Sequence, residues 1–241
     1  TFFKPLWRSF LMSADVKKTQ ADIFHGLSNE IPKGLGSIKK VVTIHDLIFK
    51  KLPDTYPIFD RIIYDKKSKF ACKKSDIIIA ISEHTKQDII HYYGINKQKI
   101  KVIYQSVDPI YYEENKLDIE LIKNKFNLPQ EYIFSVGTLE ERKNQLAILK
   151  ALNAINIDDR IPLVILGKGK DYKNKLLNYI QEKQLEKWVI FINAYVSLVE
   201  LKCIYEGASL MVYPSLYEGF GLPVVEALLS KTPVITSDIS S

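Results

Sequence analysis

The sequence predicts an α/β protein built on parallel sheets. From residue 132 onward, apolar runs of strand length alternate strictly with stretches whose apolar residues recur at helical spacing. Strand, helix and strand repeated in this way imply right-handed crossovers and a parallel, Rossmann-like sheet. The predicted strands are Tyr132–Val136, Leu163–Leu166, Val189–Ile192, Leu210–Tyr213 and Val234–Thr236, and the predicted helices are Asn144–Ile155, Tyr172–Lys183, Leu198–Glu206 and Leu222–Leu229.

The first half of the chain contains similar elements. Its predicted strands are Ala21–Gly26, Val41–Ile44, Asp76–Ser82 and Lys101–Tyr104, and Phe59–Ser75 is predicted to be a basic helix. A second helix should begin after Ser82, a good N-cap residue, and should end near Gly94. The polar, aromatic stretch Asp108–Asn115 is interpreted as an interdomain linker, which divides the chain into domains 1–115 and 116–241.

Composition bounds the class of protein. The chain has 241 residues, of which 46% are hydrophobic and 26% charged, as in a globular protein with room for one large core or two smaller ones. No apolar run approaches the length of a membrane span. Cys72 and Cys203 lie far apart, without zinc spacing, and are predicted to be buried thiols in a reducing compartment.

The net charge of +6 is unevenly placed. Residues 1–115 carry 19 Lys and Arg against 13 Asp and Glu, whereas residues 116–241 carry 15 of each. One interpretation is a basic surface for an anionic partner, such as a membrane leaflet, a lipid-linked phosphate or nucleic acid. The other is a lysine-rich solvated surface, and the charge alone leaves both open.

The stretch Tyr213–Glu226 (YPSLYEGFGLPVVE) carries the most information about function. It follows a buried strand, passes a turn with Gly219 and Gly221, and enters a helix near Leu222. Glycines before a helix start let the backbone approach a ligand closely, and the free N–H groups there suit a phosphate. Two carboxylates, Glu218 and Glu226, bracket the turn.

A second stretch, Tyr132–Asn144 (YIFSVGTLEERKN), places two cations beside a glycine turn and a helix start. Arg142 could bind a phosphate in a bidentate manner, and Lys143 could act as a point charge near Gly137. Cations are disfavoured at a helix N-terminus by the macrodipole, so their presence indicates an anion. The alternative is a pair of solvated surface cations.

Polar residues also follow the first-half strands. His45 and Asp46 emerge at the carboxyl end of Val41–Ile44, where ligands bind in open α/β sheets. The position is explained equally well by a structural His45 whose ring hydrogen-bonds a neighbouring loop. Ser82 is favoured as a helix cap, with Thr85 in the first turn, although a hydroxyl there could also meet a phosphate or sugar.

The string EGFGLPVVEA resembles the E-x7-E donor-site signature of the GT-B glycosyltransferases, in particular glycosyltransferase family 4. The resemblance implies that Glu218 lies by the transferred sugar and that Glu226 hydrogen-bonds the ribose. It also implies that the loop amides face the sugar and the diphosphate; these belong to Gly219, Phe220, Gly221 and Leu222.

Other segments are similar to the same family. VGTLEERKN resembles its G-T-L-E-P-R-K-N segment, with Glu141 in place of Pro, which implies that Arg142 and Lys143 hold the diphosphate beside Gly137. VVTIHDL implies that His45 lines the reaction centre with Asp46 beside it. IAISEHTKQDI and VILGKG resemble a helix start and a glycine-containing strand end, and contribute Ser82, Thr85, Gly167 and Gly169. The Gln105–Asp108 segment departs from the family's Asn-Gly-Val-Asp and puts the local loop shape in doubt.

The family resemblance implies a GT-B fold, with two Rossmann-like domains facing a cleft. It implies a retaining transfer of a hexose from a UDP- or GDP-sugar to a saccharide or lipid-linked acceptor, with bacterial surface polysaccharide as the pathway and mannosyl transfer as a weak preference. No D-x-D pair occurs in the sequence, so we expect no metal and no cofactor.

We expect a cytoplasmic protein, with peripheral contact at an anionic membrane as one interpretation, and no nucleic-acid partner. The alternative functions are a nucleotide-sugar epimerase of the same architecture and an inactive GT-B partner subunit. A glycosidase that uses Glu218 and Glu226 is a weaker alternative, since it would leave the cations Arg142 and Lys143 without a purpose. The chain begins at Thr1 and lacks the family's first strand and its closing helices, so we expect a fragment truncated at both ends.

Overall fold

The computed structural model of the chain describes residues 7–114 and 117–240. They divide into two compact units. The first contains the chain up to Gln105 together with Glu218–Phe220, and the second contains Ser106–Tyr217 and Gly221–Ser240. The division by contacts therefore comes after Gln105, ten residues before the boundary that the sequence suggests.

The first unit is built on a four-stranded parallel sheet in the order β1-β2-β3-β4. Its core contains the apolar residues of β2 and β3 packed against two long helices, as a continuous apolar run in a parallel strand predicts. The strands are β1 (Ile23–Gly26), β2 (Lys39–Ile44), β3 (Ile77–Ala80) and β4 (Ile100–Val102), and the helices are α1 (Met12–Lys18), α2 (Ile48–Lys51), α3 (Ile58–Lys74) and α4 (Glu83–Tyr93).

The ends of α4 confirm the capping prediction. The Ser82 hydroxyl accepts a hydrogen bond from the Thr85 backbone N–H at 3.1 Å, and Gly94 ends the helix with a φ of 63°. A side-chain oxygen at the N-cap satisfies one of the orphan donors of the first turn. A glycine in the left-handed region satisfies carbonyls of the last turn without a Cβ penalty.

The second unit is built on a five-stranded parallel sheet in the order β7-β6-β5-β8-β9. This order places β5, the first strand of the unit, at the centre of the sheet, as in a Rossmann-like half. The strands are β5 (Ile133–Val136), β6 (Leu163–Leu166), β7 (Val189–Ile192), β8 (Leu210–Tyr213) and β9 (Val234–Thr236), and the helices are α5 (Ile119–Phe126), α6 (Gln145–Ala154), α7 (Asp171–Glu182), α8 (Leu198–Glu206) and α9 (Leu222–Leu229).

Two apolar clusters form the core of this unit. One contains Tyr132, Phe134 and Tyr205 with residues of α8 and α9, and the other contains Leu149 and Leu163 with residues of α6 and α7. Every strand and helix predicted from the alternation after residue 132 is present, with ends within one residue of the prediction.

The segment predicted as a linker is structured where the chain is described. Pro109–Tyr112 forms a 3₁₀ turn capped by Asp108, and the Tyr111 ring is buried in the core of the second unit. The Lys202 ammonium binds the Ile110 carbonyl oxygen at 3.0 Å. The described part of the predicted linker, residues 108–114, therefore packs on the second unit through apolar and aromatic side chains.

Both cysteines are free and buried, as predicted. Desolvation raises the pKa of the Cys72 thiol to about 12. Among the described residues, no helix combines the length and the hydropathy needed to span a bilayer.

Candidate functional site

The two stretches that the sequence singled out in the second unit lie side by side. The Leu216 N–H donates to the Arg142 carbonyl at 2.8 Å, and the Asn144 side-chain amide donates to the Pro214 carbonyl at 3.2 Å. Arg142 also reaches the Tyr217 carbonyl oxygen with its Nη1 atom at 2.9 Å. These contacts join the loop after β5 to the loop after β8, although the two are about seventy residues apart in sequence.

The two cations of this loop have different environments. The Arg142 side chain is 14% exposed, and its Nη2 atom pairs with the Glu140 carboxylate at 2.6 Å. The Lys143 ammonium donates to the Tyr213 hydroxyl at 2.6 Å and lies 4.9 Å from the centre of the same ring. Arg142 is thus held in place by a carboxylate and a carbonyl, and Lys143 lies against the hydroxyl and the ring of Tyr213.

Glycines allow the loops after β5 and β6 to approach each other closely. Gly137 has a φ of 135°, and a side chain there would point at the Lys143 chain, 3.6 Å from its Cε. A Cβ at Gly167 would lie 2.0 Å from the Gly137 carbonyl oxygen, and one at Gly169 would lie 2.2 Å from the Leu139 carbonyl oxygen. No side chain fits at the latter two positions without a shift of backbone.

A cavity of about 570 Å³ opens at the carboxyl ends of β5, β6 and β7. Ligands of α/β proteins bind at this edge of the sheet, and the volume lies in the range of small-molecule sites. Gly137 and Gly167, two of the residues singled out in the sequence, line it. Several lining residues were missed by sequence reasoning: Thr138, Lys168, Lys173, Asn193, Tyr195 and Val196.

A signal for the missed residues was present in the sequence. Asn193, Ala194 and Tyr195 directly follow the apolar run of β7, in the same way that His45 follows β2. The Lys173 ammonium, from the first turns of α7, binds Asn193 Oδ1 at 2.8 Å. The rule that polar residues at strand ends face ligands would have found this side of the cavity.

Glu226 lies in the second turn of α9, where it is half-buried. Its Oε2 atom accepts a hydrogen bond from the Tyr205 hydroxyl at 3.0 Å. Desolvation raises the pKa of the Glu226 carboxyl above its ordinary value of 4.5, and the hydroxyls of Tyr205 and Tyr111 offset part of that effect. The carboxylate therefore has an apolar, aromatic setting that sequence reasoning did not reveal.

The start of α9 has the geometry that the glycine turn predicted. Gly221 occupies the N-cap position with a φ of 90°, Leu222 begins the helix, and Pro223 lies in its first turn. The left-handed backbone conformation of Gly221 is favourable for glycine and unfavourable for other residues.

In the first unit, His45 is held on three sides. Its backbone N–H donates to Asn29 Oδ1 at 2.8 Å, its Nε2 atom lies 2.8 Å from the Leu27 carbonyl oxygen, and its Nδ1 atom lies 3.5 Å from Gln105 Nε2. Asp46 Oδ1 accepts from the Ile48 N–H at 3.1 Å. Gln105, which the sequence flagged only for loop shape, is thus a neighbour of the imidazole.

A second cavity, of about 390 Å³, lies beside this loop. Three aromatic residues line it together with Asp46, Asn29 and Ser28, and two cations, Arg8 and Lys67, stand at Glu30. The aromatic residues are Phe49, Tyr56 and Tyr64.

The tip of the glutamate signature, Glu218–Phe220, belongs to the first unit by its contacts. The Thr85 hydroxyl lies 3.3 Å from the His45 carbonyl oxygen and 3.4 Å from that of Gly219, and the Phe220 ring stacks on Tyr104. A Cβ at Gly219 would lie 2.1 Å from the His45 carbonyl oxygen. His45, Thr85 and Gly219 are therefore close neighbours, and Gly137, Arg142 and Lys143 form a separate group in the second unit.

Comparison with family models covers almost the whole chain. The model of glycosyl transferases group 1 matches residues 118–241, and the model of glycosyltransferase family 4 matches residues 2–110. The first of these matches spans just over half of the chain.

Curated relatives include two enzymes named for O-antigen synthesis. The chain is 28% identical to O-antigen chain mannosyltransferase B of Escherichia coli, over 91% of this chain and 58% of that protein. It is 33% identical to O-antigen chain mannosyltransferase RfbU of Salmonella typhimurium, over 83% of this chain and 52% of that protein. The chain thus spans a little over half the length of these relatives.

Solved structures support the fold. A glycosyltransferase from Rickettsia africae superposes with a TM-score of 0.74 at 19% identity, covering 95% of this chain and 61% of that one. Anabaena Alr3699/HepE, solved with UDP and glucose, superposes with a TM-score of 0.72 at 19% identity, covering 95% of this chain and 62% of that one. Two parallel-sheet α/β units of this kind constitute the GT-B architecture. The chain belongs to the glycosyl transferases group 1.

Proposed function

We propose that the chain forms part of a retaining hexosyltransferase that moves a sugar from a UDP- or GDP-sugar to a saccharide or lipid-linked acceptor in surface polysaccharide synthesis. The observation that carries the proposal is the cavity of about 570 Å³ at the carboxyl ends of β5–β7, with Gly137 on its wall and the Lys143 side chain next to Gly137. The names of the O-antigen mannosyltransferases support this substrate class. The enzyme would work in the cytoplasm, in peripheral contact with the membrane.

The diphosphate of the donor would bind at Arg142 and Lys143. Arg142 already uses two of its nitrogen atoms for the Glu140 carboxylate and the Tyr217 carbonyl, which fixes the direction of its remaining donors. Lys143 would give up or share its bond to the Tyr213 hydroxyl. Together they would stabilise the negative charge that develops on the leaving nucleoside diphosphate, so that no metal is needed for that purpose.

The remaining donor contacts would come from the glutamate signature. Glu226 would accept hydrogen bonds from the ribose hydroxyls, since an ionised carboxylate is an acceptor-only group. Glu218 would position the transferred sugar and stabilise charge near its anomeric carbon. The backbone amides of Gly219, Phe220, Gly221 and Leu222 would face the sugar and the phosphates.

The acceptor side would involve the first unit. His45 would orient the acceptor or a sugar hydroxyl. Asp46 would contact the acceptor in the adjoining cavity, whose aromatic residues and polar side chains suit a saccharide. Ser82 and Thr85 are buried and engaged in the cap of α4, so we assign them the role of holding the His45 loop.

Retention would follow from attack on the face that the leaving group departs from. The bond between the anomeric carbon and the phosphate oxygen breaks while the acceptor oxygen forms its bond to the same carbon. The acceptor proton passes to the departing phosphate oxygen. This step requires no protein nucleophile and leaves Glu218 an electrostatic role.

Thermal unfolding in the presence of UDP, GDP, UMP and NAD tests the proposal. A ligand at 100 times its dissociation constant should add about 2.7 kcal/mol to the free energy of unfolding. We expect one nucleoside diphosphate to stabilise the wild type and Glu186→Gln, whose carboxylate is exposed on the second unit, but not Glu226→Ala. An equal response to NAD, or no response to either diphosphate, would contradict the proposed donor site.

A further inference from the structure

Helix α3 exposes large apolar side chains to solvent. Phe59 is 77% exposed, Ile62 43% and Ile63 49%. Residues three and four apart lie on the same face of a helix, so these three form one apolar surface. The opposite side of α3, with Ser68, Ala71 and Cys72, is already buried in the first unit.

Lysines continue the same face along the helix. Lys66, Lys69 and Lys73 follow at helical spacing, and all three are exposed. An α-helix has 3.6 residues per turn, so the first turn of the face is apolar and the next two turns are cationic. The lysine-face, as we call Phe59, Ile62, Ile63, Lys66, Lys69 and Lys73 together, has no acidic member.

A groove of about 330 Å³ adjoins the lysine-face. Its apolar lining residues are Ile31, Ile63 and Phe70, and its cations are Lys33, Lys66 and Lys67. Glu30 also lines the groove, but its carboxylate binds Lys67 at 2.6 Å and Arg8 at 3.6 Å. The groove therefore combines an apolar lining with an excess of positive charge.

The carboxylates of α3 lie off this face. Asp65 binds the Lys50 ammonium at 2.8 Å and accepts a hydrogen bond from the Tyr93 hydroxyl at 3.1 Å. Asp60 is one residue, about 100° of helix rotation, away from Phe59. Neither carboxylate interrupts the sequence of apolar and cationic residues.

We propose that the lysine-face and its groove dock the protein on an anionic lipid bilayer. Phe59, Ile62 and Ile63 would enter the boundary between headgroups and acyl chains, and the lysines would bind lipid phosphates, as in amphipathic helices that lie in the interface plane. Charge complementarity selects this occupant. The cations of the groove would bind a lipid phosphate, and its apolar lining would contact the acyl chain of the same lipid. The inference extends the proposed function, because a lipid-linked acceptor would be met at a membrane, but it is independent of the donor site.

Co-sedimentation of the chain with vesicles tests this inference. The wild type should bind anionic vesicles of phosphatidylcholine with phosphatidylglycerol and should dissociate from them at high salt. It should not bind neutral vesicles of phosphatidylcholine alone. Replacement of Lys66, Lys69 and Lys73 by Gln should weaken binding on the order of 100-fold. The matched control replaces Lys150, Lys183 and Lys187 by Gln, which removes the same charge from exposed positions of the second unit and should leave binding nearly unchanged.

The apolar half of the lysine-face needs its own variant. Phe59→Ser and Ile62→Ser should each weaken vesicle binding about tenfold or more without lowering the unfolding temperature, since both side chains are exposed. Leu177→Ser, which changes an exposed leucine of α7, is the control.

Three results would overturn the inference: no binding of the wild type to anionic vesicles, equal losses for the two lysine triples, or full binding by both serine variants. Sedimentation velocity detects the competing use of the face as an interface between copies, in which the serine variants would change the oligomeric state and leave vesicle binding intact. A wild type that responds to nucleoside diphosphate but does not bind anionic vesicles would reject this inference and leave the proposed donor site standing.

Discussion

The carboxyl edges of the two parallel sheets are built in different ways. In the second unit, glycines follow β5 and β6, their backbones nearly touch, and a cavity of about 570 Å³ opens beside them. In the first unit, β2 ends on His45, whose main chain and ring contact Asn29, Leu27 and Gln105. The edge of the second unit depends on the close approach of two backbone segments. The edge of the first unit depends on polar groups that hold the His45 imidazole.

This difference suggests how each edge can be disturbed. An edge formed by close backbone approach should fail when a single carbon is added, whatever its polarity. An edge formed by hydrogen-bonded side chains should tolerate added volume better and should respond to the loss of a donor or acceptor. The two kinds of failure can be separated by nucleotide binding, most of whose proposed contacts lie in the second unit.

Gly167→Ala should produce the largest effect. Its Cβ would lie 2.0 Å from the Gly137 carbonyl oxygen, so the loops after β5 and β6 must separate. We expect a loss of about 3 kcal/mol or more in the free energy of unfolding, at the upper end of overpacking effects, and no stabilisation by nucleoside diphosphate. Urea unfolding with and without UDP or GDP measures both.

Gly36→Ala is the matched control for Gly167→Ala. Gly36 has a φ of 64°, but a Cβ there meets nothing within 4 Å. The variant should lose about 1–2 kcal/mol from backbone strain alone and should keep its nucleotide response. Equal effects of the two alanines would show that close approach of the two loops is not what sustains the second edge.

Arg142→Lys and Lys143→Met should separate structural roles from ligand-binding roles in the loop after β5. A lysine cannot hold both the Glu140 carboxylate and the Tyr217 carbonyl as the guanidinium does, so Arg142→Lys should lose about 1–2 kcal/mol of stability. Lys143→Met keeps the apolar stem beside Gly137 and the Tyr213 ring. It should lose about 1 kcal/mol of stability with the bond to the Tyr213 hydroxyl, and it should bind the diphosphate ten- to a hundredfold more weakly.

Calorimetric titration with UDP and GDP, beside thermal unfolding, gives the two readouts for these variants. UMP serves as the control ligand, because it lacks the second phosphate. If Lys143→Met bound UDP or GDP as the wild type does, the assignment of the diphosphate to this loop would be rejected.

Asn29→Asp should have a smaller effect, and it should be confined to the first unit. Asn29 accepts from the His45 N–H and donates to the Asp46 carbonyl at 3.4 Å, and an aspartate keeps only the first contact. We expect a loss of about 1 kcal/mol in stability and an unchanged dissociation constant for the nucleoside diphosphate. A changed nucleotide affinity would contradict the separation of the two edges.

Much of this architecture could be predicted because it depends on local sequence. Buried parallel strands are continuous apolar runs, and the ends of the helix that begins at Glu83 are indicated by the capping residues Ser82 and Gly94. Helix α5 was missed, although Asp118 caps it and Asn127 ends it in the left-handed region. The preceding polar segment was interpreted as a linker, and the interpretation hid the helical spacing of Ile119, Ile122 and Phe126.

The unpredicted parts of the site depend on spatial order. The sheet order β7-β6-β5 decides that Asn193 and Tyr195 share a cavity with Gly137, and sequence does not state that order. The pairing of Arg142 with Glu140 could be suspected from spacing, but its bond to the Tyr217 carbonyl could not. The aromatic setting of Glu226 likewise depends on Tyr205, which lies on another helix.

The smallest effect that we predict is the pH dependence contributed by Glu226. Burial raises the pKa of this carboxyl above 4.5, so the folded protein binds its proton more tightly than the unfolded chain does. Stability contributed by this group is therefore greatest at acid pH and falls as pH rises from about the ordinary pKa to the raised one. In Glu226→Gln that dependence is absent, so the free energy of unfolding of the variant, relative to the wild type, should increase across this window.

Donor affinity should change in the opposite direction with pH. The ionised carboxylate is the form that accepts ribose hydroxyls, so nucleoside diphosphate should bind the wild type more tightly as pH rises through the raised pKa of Glu226, and Glu226→Gln should lack that increase. Urea unfolding and calorimetry at matched pH values follow the two trends, with Glu186→Gln as the exposed control. If the wild type and Glu226→Gln gave parallel pH profiles, the buried carboxylate would be excluded as the ribose ligand, and the difference between the two edges would rest on the glycines alone.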